Sequence, residues 1–187
     1  MHSHLPEYDV VIVGARCSGA ALGAFLAERG VRTLILDSDA LPSDMKMSTH
    51  FMQPRGLDVL DELGVGNVAR DMAPPIKRQA LVADSYKVVT RYPHDRSGRG
   101  TRRFKTDALL QAAASAAGAE IRDRHKVVDL IRDGERVVGV VVRTPQGHER
   151  IYSDLVVGAD GQNSKVARLV NAKKYWTYRN ERGAYWS

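Results

Sequence analysis

The stretch YDVVIVGARCSGAALGAFLAERGVRTLILD, residues 8–37, decides the fold. Tyr8 and Asp9 lead into an unbroken β-branched run, Val10-Val-Ile-Val13, the pattern of a strand buried on both faces of a parallel sheet. Gly14-Ala-Arg-Cys-Ser-Gly19 follows at once, and Ala20 to Arg29 carries small and apolar residues at helical spacing. Gly30 stops that helix, and Val31 to Leu36 forms a second buried strand ending in Asp37. Strand, glycine turn, helix, strand and acid, in that order, make a βαβ unit suited to a dinucleotide.

Each part of the unit has a physical task. Gly14 lets the chain turn sharply off the strand, and Gly19 lets the helix pack closely on the sheet. The free N–H groups and positive dipole end of a helix starting near Cys17 can hold a pyrophosphate. Asp37 lies 23 residues after Gly14, where a carboxylate can accept hydrogen bonds from both hydroxyls of a ribose. That acid favours an adenosine without a 2′-phosphate, such as FAD or NAD, over NADP. The middle glycine of the usual G-x-G-x-x-G is replaced by Arg16, which either supplies a cation near the pyrophosphate or faces solvent. Cys17 is either a redox group or, in the more economical reading, a small residue tolerated at a crowded helix start.

Length and composition limit the rest. A chain of 187 residues, 43% hydrophobic and 27% charged, suits one soluble globular domain. No apolar run reaches the length of a membrane span, and Met1-His-Ser-His-Leu-Pro6 is not a signal peptide. A single cysteine excludes an internal disulfide and fits a reducing cytoplasm. The net charge is +6, with a local cluster at Arg96, Arg99, Arg102, Arg103 and Lys105 and another at Lys173-Lys174. No nucleic-acid-binding motif accompanies these charges, so nucleic acid is not an expected partner. Attraction of an anionic cofactor, or a solvated face, explains them more simply.

Beyond the first unit, residues 38–52 lack a period and read as a loop whose end, Ser48-Thr49-His50, is a candidate for lying near a ligand; for His50 a packing role is an equal alternative. Pro54 opens a helix over 55–63, lined on one face by Leu57, Leu60 and Leu63. A helical turn within 64–73 ends at Pro74-Pro75, and residues 79–93 read as a hairpin. The segment 96–100 reads as a turn, 106–117 as a helix closed by Gly118, and 119–123 as a short strand. Residues 126–131, 136–143 and 149–152 form an antiparallel β-meander, turning at Asp133-Gly134 and Pro145-Gln-Gly147. A separate buried strand, 155–160, leads through Gly161-Gln-Asn-Ser164 into a helix over 165–170, and the aromatic end, 175–187, reads as strand. The six histidines show no metal-ligand spacing, and no serine sits in a nucleophile context.

Three stretches resemble the FAD-dependent monooxygenase and geranylgeranyl reductase-like superfamily, with its para-hydroxybenzoate hydroxylase-type fold. They are Asp9 to Asp37 with its Gly14-Ala-Arg-Cys-Ser-Gly19 turn, Arg102 to Leu110, and Val156 to Arg168 with Asp160-Gly161, which is the most specific. Thr106 stands where the family usually has leucine. The resemblance implies an α/β fold: a Rossmann-like FAD/NAD(P)-binding domain with a parallel sheet, an antiparallel β-meander insertion at 126–152, and the beginning of a substrate-domain sheet at 79–93 and 175–187. It implies that Gly14, Ser18 and Gly19 contact the FAD pyrophosphate, Asp37 the adenosine ribose and Arg103 the phosphate or ribitol side. It further implies that the backbone of Val127 lies against the adenine, while Asp160 and Gly161 close over the pyrophosphate.

The function so implied is an FAD-dependent oxidoreductase, a monooxygenase or reductase of a small organic substrate using NAD(P)H. The cofactor carries the chemistry, and the residues name no acid, base or nucleophile. The family continues to a second Gly-Asp motif, and this chain has no Gly-Asp pair. The expectation is therefore an incomplete FAD-binding domain over 1–187, with a complementing C-terminal half or a homo-oligomer covering its unfinished edge. The alternative is a catalytically silent nucleotide-binding module that assembles with another chain.

Overall fold

The computed structural model describes residues 5–44, 48 and 50–177. In chain order the elements are β1 (Tyr8–Val13), α1 (Cys17–Ala27), β2 (Thr33–Leu36), α2 (Pro54–Glu62), α3 (Gly66–Asp71), β3 (Pro75–Ile76), β4 (Arg78–Ala83) and β5 (Tyr86–Arg91). They continue with β6 (Gly98–Arg99), α4 (Arg103–Ala116), β7 (Glu120–Arg122), β8 (Lys126–Asp133), β9 (Arg136–Thr144), β10 (Gly147–Gly158) and α5 (Lys165–Leu169).

The main sheet has the order β7-β2-β1-β10-β9-β8. Its first four strands are parallel, with Val10 opposite Thr33 on one side of β1 and Leu155 on the other. From β10 onward the pairing is antiparallel. The β-branched run of β1 is continuous because both of its faces are covered. Val10 and Ile12 join a core with Ile35, Ala20 and Ala24 beneath α1, Leu57 and Leu60 of α2, and Leu110 and Ala114 of α4. Val11 and Val13 face the other way, into a core with Leu34, Leu36, Val127, Val140, Val142 and Ile151 of the meander and Val166 of α5. Residues such as Ile12 and Leu34 have no exposed surface, and each buried side chain of this size contributes roughly 1.5–3 kcal/mol.

One expectation is corrected here. Residues 149–152 and 155–160 are not two strands but parts of one, β10, which changes partner without breaking. Gly147 to Tyr152 pairs antiparallel with β9, and Ser153 to Gly158 pairs parallel with β1. Ser153 and Asp154 look like a polar break in the sequence, yet Ser153 is buried and its hydroxyl donates to the Leu155 carbonyl at 3.1 Å. Gly139, opposite Tyr152 near this crossover, is obligatory: its φ is +156°, and a Cβ would lie 2.2 Å from the Ile151 carbonyl oxygen.

Helix α4 begins at Arg103, three residues before the expected start at Thr106. The Thr106 hydroxyl is buried and shares a 2.8 Å hydrogen bond with that of Thr101, so a polar residue is satisfied inside the first turn. The turn expected over 96–100 contains β6, which pairs with β3. The hairpin expected over 79–93 is β4–β5, exposed throughout and paired with no other described strand. Of the strand expected over 175–187, residues 175–177 are irregular and the rest lies outside the described residues. No helix among the described residues is long and apolar enough to cross a membrane.

Candidate functional site

Strand β1 is followed by a helix that crosses to β2 on one side, while its neighbour on the other side, β10, comes from the far end of the chain. Ligand crevices in open parallel sheets form at such a reversal, beyond the carboxyl ends of the strands. A cavity of about 700 Å³ lies there. Its walls bring together the turn after β1, the end of β2, the first residue of α4, the start of β8 and the turn after β10.

The turn after β1 is shaped by its own backbone. Gly14 has φ +107°, and a Cβ there would lie 2.4 Å from the Ala159 carbonyl oxygen, so the glycine turn nests against the turn after β10. Asp37, 7% exposed, ties this turn to the end of β2. Its Oδ2 accepts the Ala15 N–H at 2.8 Å and its Oδ1 accepts the Asp39 N–H at 3.0 Å. Each carboxylate oxygen keeps further acceptor capacity. Of the eight residues expected at the site, Gly14, Ser18, Asp37, Arg103, Val127, Asp160 and Gly161 line the cavity. Gly19 does not: it lies behind the turn, where a Cβ would sit 1.8 Å from the Gly14 carbonyl oxygen.

Asp160 is fully engaged by the chain. Its Oδ1 accepts the Ser164 hydroxyl at 2.6 Å, and its Oδ2 accepts the N–H groups of Lys165 and Val166 at 2.6 and 3.2 Å. Ser164 in turn caps α5 by accepting the Ala167 N–H at 2.9 Å. This fixes the loop that presents Gly161, Lys165 and Arg168 to the cavity.

Arg103 is held from below by a carboxylate that sequence reading did not single out. Asp107, with 0% exposure, receives Arg103 Nη2 at 3.1 and 3.3 Å and Nε at 3.3 Å. The Cys17 thiol donates to the same Oδ1 at 2.9 Å, and Gln111 reaches from α4 to the Ala15 carbonyl at 2.8 Å. The i, i+4 spacing of Arg103 and Asp107 was the available signal. Lys126, His125 and Lys165 also line the cavity and were not anticipated; their signal was proximity in sequence to Val127 and Asp160.

The thiol is not reactive in this setting. Burial, then its hydrogen bond to Asp107 and that carboxylate's charge, push Cys17 from an ordinary 9.0 up to about 12, against a smaller lowering by Arg103. A raised thiol pKa means the folded state binds more protons between those values. The associated stability is therefore present below about pH 9 and is lost as pH rises toward 12. Alkylation of Cys17 at pH 8 is expected to be at least tenfold slower in the folded chain than in urea, and equal rates would contradict the buried hydrogen bond.

The cavity suits an anion. Arg16, Arg103, Lys126, Lys165 and Arg168 line it, and the three carboxylates on the same wall, Asp37, Asp39 and Asp160, each already accept a hydrogen bond. Arg16 Nη1 is buried without a hydrogen-bond partner among the described residues, a donor that a phosphate oxygen would satisfy. Together with the glycine cradle, these groups fit the diphosphate of a dinucleotide.

The chain is similar to known proteins over most of its length. The chain is 32% identical over 169 residues to the 12-dehydrotetracycline 5-monooxygenase/anhydrotetracycline 6-monooxygenase of Streptomyces rimosus, covering 88% of this chain and 33% of that protein. It is 30% identical to digeranylgeranylglycerophospholipid reductase 2 of Methanothermobacter thermautotrophicus, covering 87% of this chain and 41% of that one. The chain thus spans about a third of the monooxygenase's length and two fifths of the reductase's. Among solved structures, the anhydrotetracycline hydroxylase of Streptomyces rimosus matches with a TM-score of 0.78 and 30% identity, over 88% of this chain and 34% of that one. A flavin-dependent brominase shares the fold, with a TM-score of 0.76 at 23% identity over 87% of this chain and 40% of that one. Residues 7–180 match the FAD binding domain family, and the chain belongs to it.

Proposed function

We propose that this chain is the FAD-binding part of an FAD-dependent oxidoreductase that draws electrons from NAD(P)H and oxygenates or reduces a small organic substrate. The observation that carries the reading is the cavity of about 700 Å³, where five segments of the chain meet and five Arg and Lys side chains line the wall. Gly14, Ser18 and the amino end of α1 would take the pyrophosphate, with Gly19 allowing the helix its close approach from behind. Asp37 would accept from the adenosine ribose, Arg103 would reach the phosphate or ribitol side, and the Val127 backbone would face the adenine. Asp160 would act through the loop it braces, bringing Gly161 over the pyrophosphate. The bound flavin would supply the electron transfer, while these residues orient it and exclude water.

Both chemistries stay within the reading, because relatives of similar identity are named for oxygenation and for reduction. A reducing cytoplasm suits the single free thiol. Association with a second polypeptide or another copy is part of the same proposal, supported by the exposed Leu81, Tyr86 and Val88 of the β4–β5 hairpin, the expected start of a substrate-domain sheet.

Anaerobic addition of NADH or NADPH to the FAD-loaded chain tests the reading. Bleaching of the flavin band by either nucleotide is expected. A band that persists with both, yet bleaches with dithionite, would contradict the oxidoreductase reading and favour a silent nucleotide-binding module.

A further inference from the structure

Position 16 is where the glycine-turn pattern departs from its usual form, and the backbone shows that glycine is not required there. Arg16 has φ −87° and ψ −169°, an extended conformation open to any residue. Its side chain lines the cavity. Nη2 donates to Asp39 Oδ2 at 3.2 Å, and the Asp39 N–H is itself held by Asp37. Nη1 is buried and has no partner among the described residues. A buried guanidinium N–H without an acceptor is costly, so this geometry is economical only if an acceptor arrives. None of the nearby carboxylates is bonded to Nη1: Asp39 accepts from Nη2, and Asp37 and Asp160 accept the backbone and hydroxyl donors described above. Most other charged groups on the cavity wall are cations, which fits an anionic oxygen as the acceptor.

We propose that Arg16 binds a phosphate oxygen of the dinucleotide's diphosphate, with Asp39 as the residue that positions its guanidinium. Charge at position 16 then takes the place of the close backbone approach that a second glycine allows. This inference rests on the FAD reading and deepens it. The ligand class is a nucleoside diphosphate or a dinucleotide containing one, and adenosine alone lacks the group that Arg16 recognises.

The test is equilibrium binding of FAD, ADP and adenosine to the whole chain, comparing wild type with Arg16→Gln, Arg16→Lys and Arg16→Gly. Arg55→Gln, at an outward-facing residue of α2, serves as the charge-matched control. Arg16→Gln is expected to weaken FAD and ADP by about 10–100-fold, the effect of losing one charge-assisted hydrogen bond, and Arg16→Gly by less, because it restores the close backbone approach. Adenosine binding should stay unchanged, Arg16→Lys should keep part of the affinity, and the salt dependence of FAD binding should become shallower in the uncharged variants. Unchanged FAD and ADP binding in Arg16→Gln would overturn the proposal, and a loss in Arg16→Gly as large as in Arg16→Gln would overturn the claim that charge takes the place of the backbone approach. Should Arg16→Gln fail to fold, as judged by circular dichroism, the lysine variant carries the test, and FAD affinity equal to wild type at every salt concentration would overturn the role of the guanidinium. A wild-type chain that binds neither FAD nor ADP would overturn the functional reading itself, whereas binding that is indifferent to Arg16 overturns this inference alone.

Discussion

Gly19→Ala is expected to destabilise the chain by at least about 3 kcal/mol, because no side-chain movement can relieve the clash it creates. The added Cβ would sit 1.8 Å from the Gly14 carbonyl oxygen and 3.2 Å from Ile12 Cγ2. The first partner is backbone, and Gly14 is itself pinned against Ala159, so relief requires α1 to lift off β1. Lifting α1 opens the helix-side core around Ile12, Ala20 and Ile35 and destroys the cavity's glycine wall. Gly118→Ala is the matched control. Its φ is +104° but nothing lies within 4 Å of the added Cβ, so only backbone strain of about 1–2 kcal/mol applies. Denaturant titration separates the two. A loss under about 1 kcal/mol for Gly19→Ala would show that the helix does not rest on the turn as described.

The second large effect is at Asp107. Asp107→Ala is expected to cost about 3 kcal/mol, in the range for removing one partner of a buried ion pair. Arg103 remains one-quarter exposed and recovers some solvation, which holds the effect near the lower end of that range. The Cys17 thiol loses its acceptor in the same step. Two of the causes that raise its pKa, the hydrogen bond and the charge of Asp107, disappear together, so Cys17 should alkylate faster at pH 8 in the variant. Asp107→Asn keeps a carbonyl oxygen and should fall between the two in stability. Wild-type stability and an unchanged alkylation rate in Asp107→Ala would contradict the α1–α4 link.

The first unit is legible because its local signals, Arg16 apart, agree. The β-branched run, the glycines, the small helical face and Asp37 each point to the same βαβ arrangement. The meander was legible from its turn residues, including Gly134 at φ +60°. What could not be read is set by partners distant in sequence. Ser153-Asp154 looks like a strand break until Tyr8 is seen opposite Ser153. Asp37 is visible in the sequence as the acid after the second strand, but its bonds to Ala15 and Asp39 depend on the fold of the turn itself. Asp107 looks like an ordinary helix-surface acid in the pattern of α4, and only the packing of α1 on α4 reveals that it is buried under Arg103 and Cys17. Arg16 is visible in the sequence as a departure from the motif, but the burial of its Nη1 and its bond to Asp39 depend on the fold of the turn.

In the proposed function the cavity between the glycine turn and the Asp160-Gly161 turn holds FAD. The most direct test is the visible absorption spectrum of the purified chain before and after addition of FAD and desalting. Flavin bands that survive desalting near one equivalent per chain, and that are absent from Gly19→Ala, are the expected result. A wild-type chain that stays colourless after FAD addition would contradict the claim for the chain on its own.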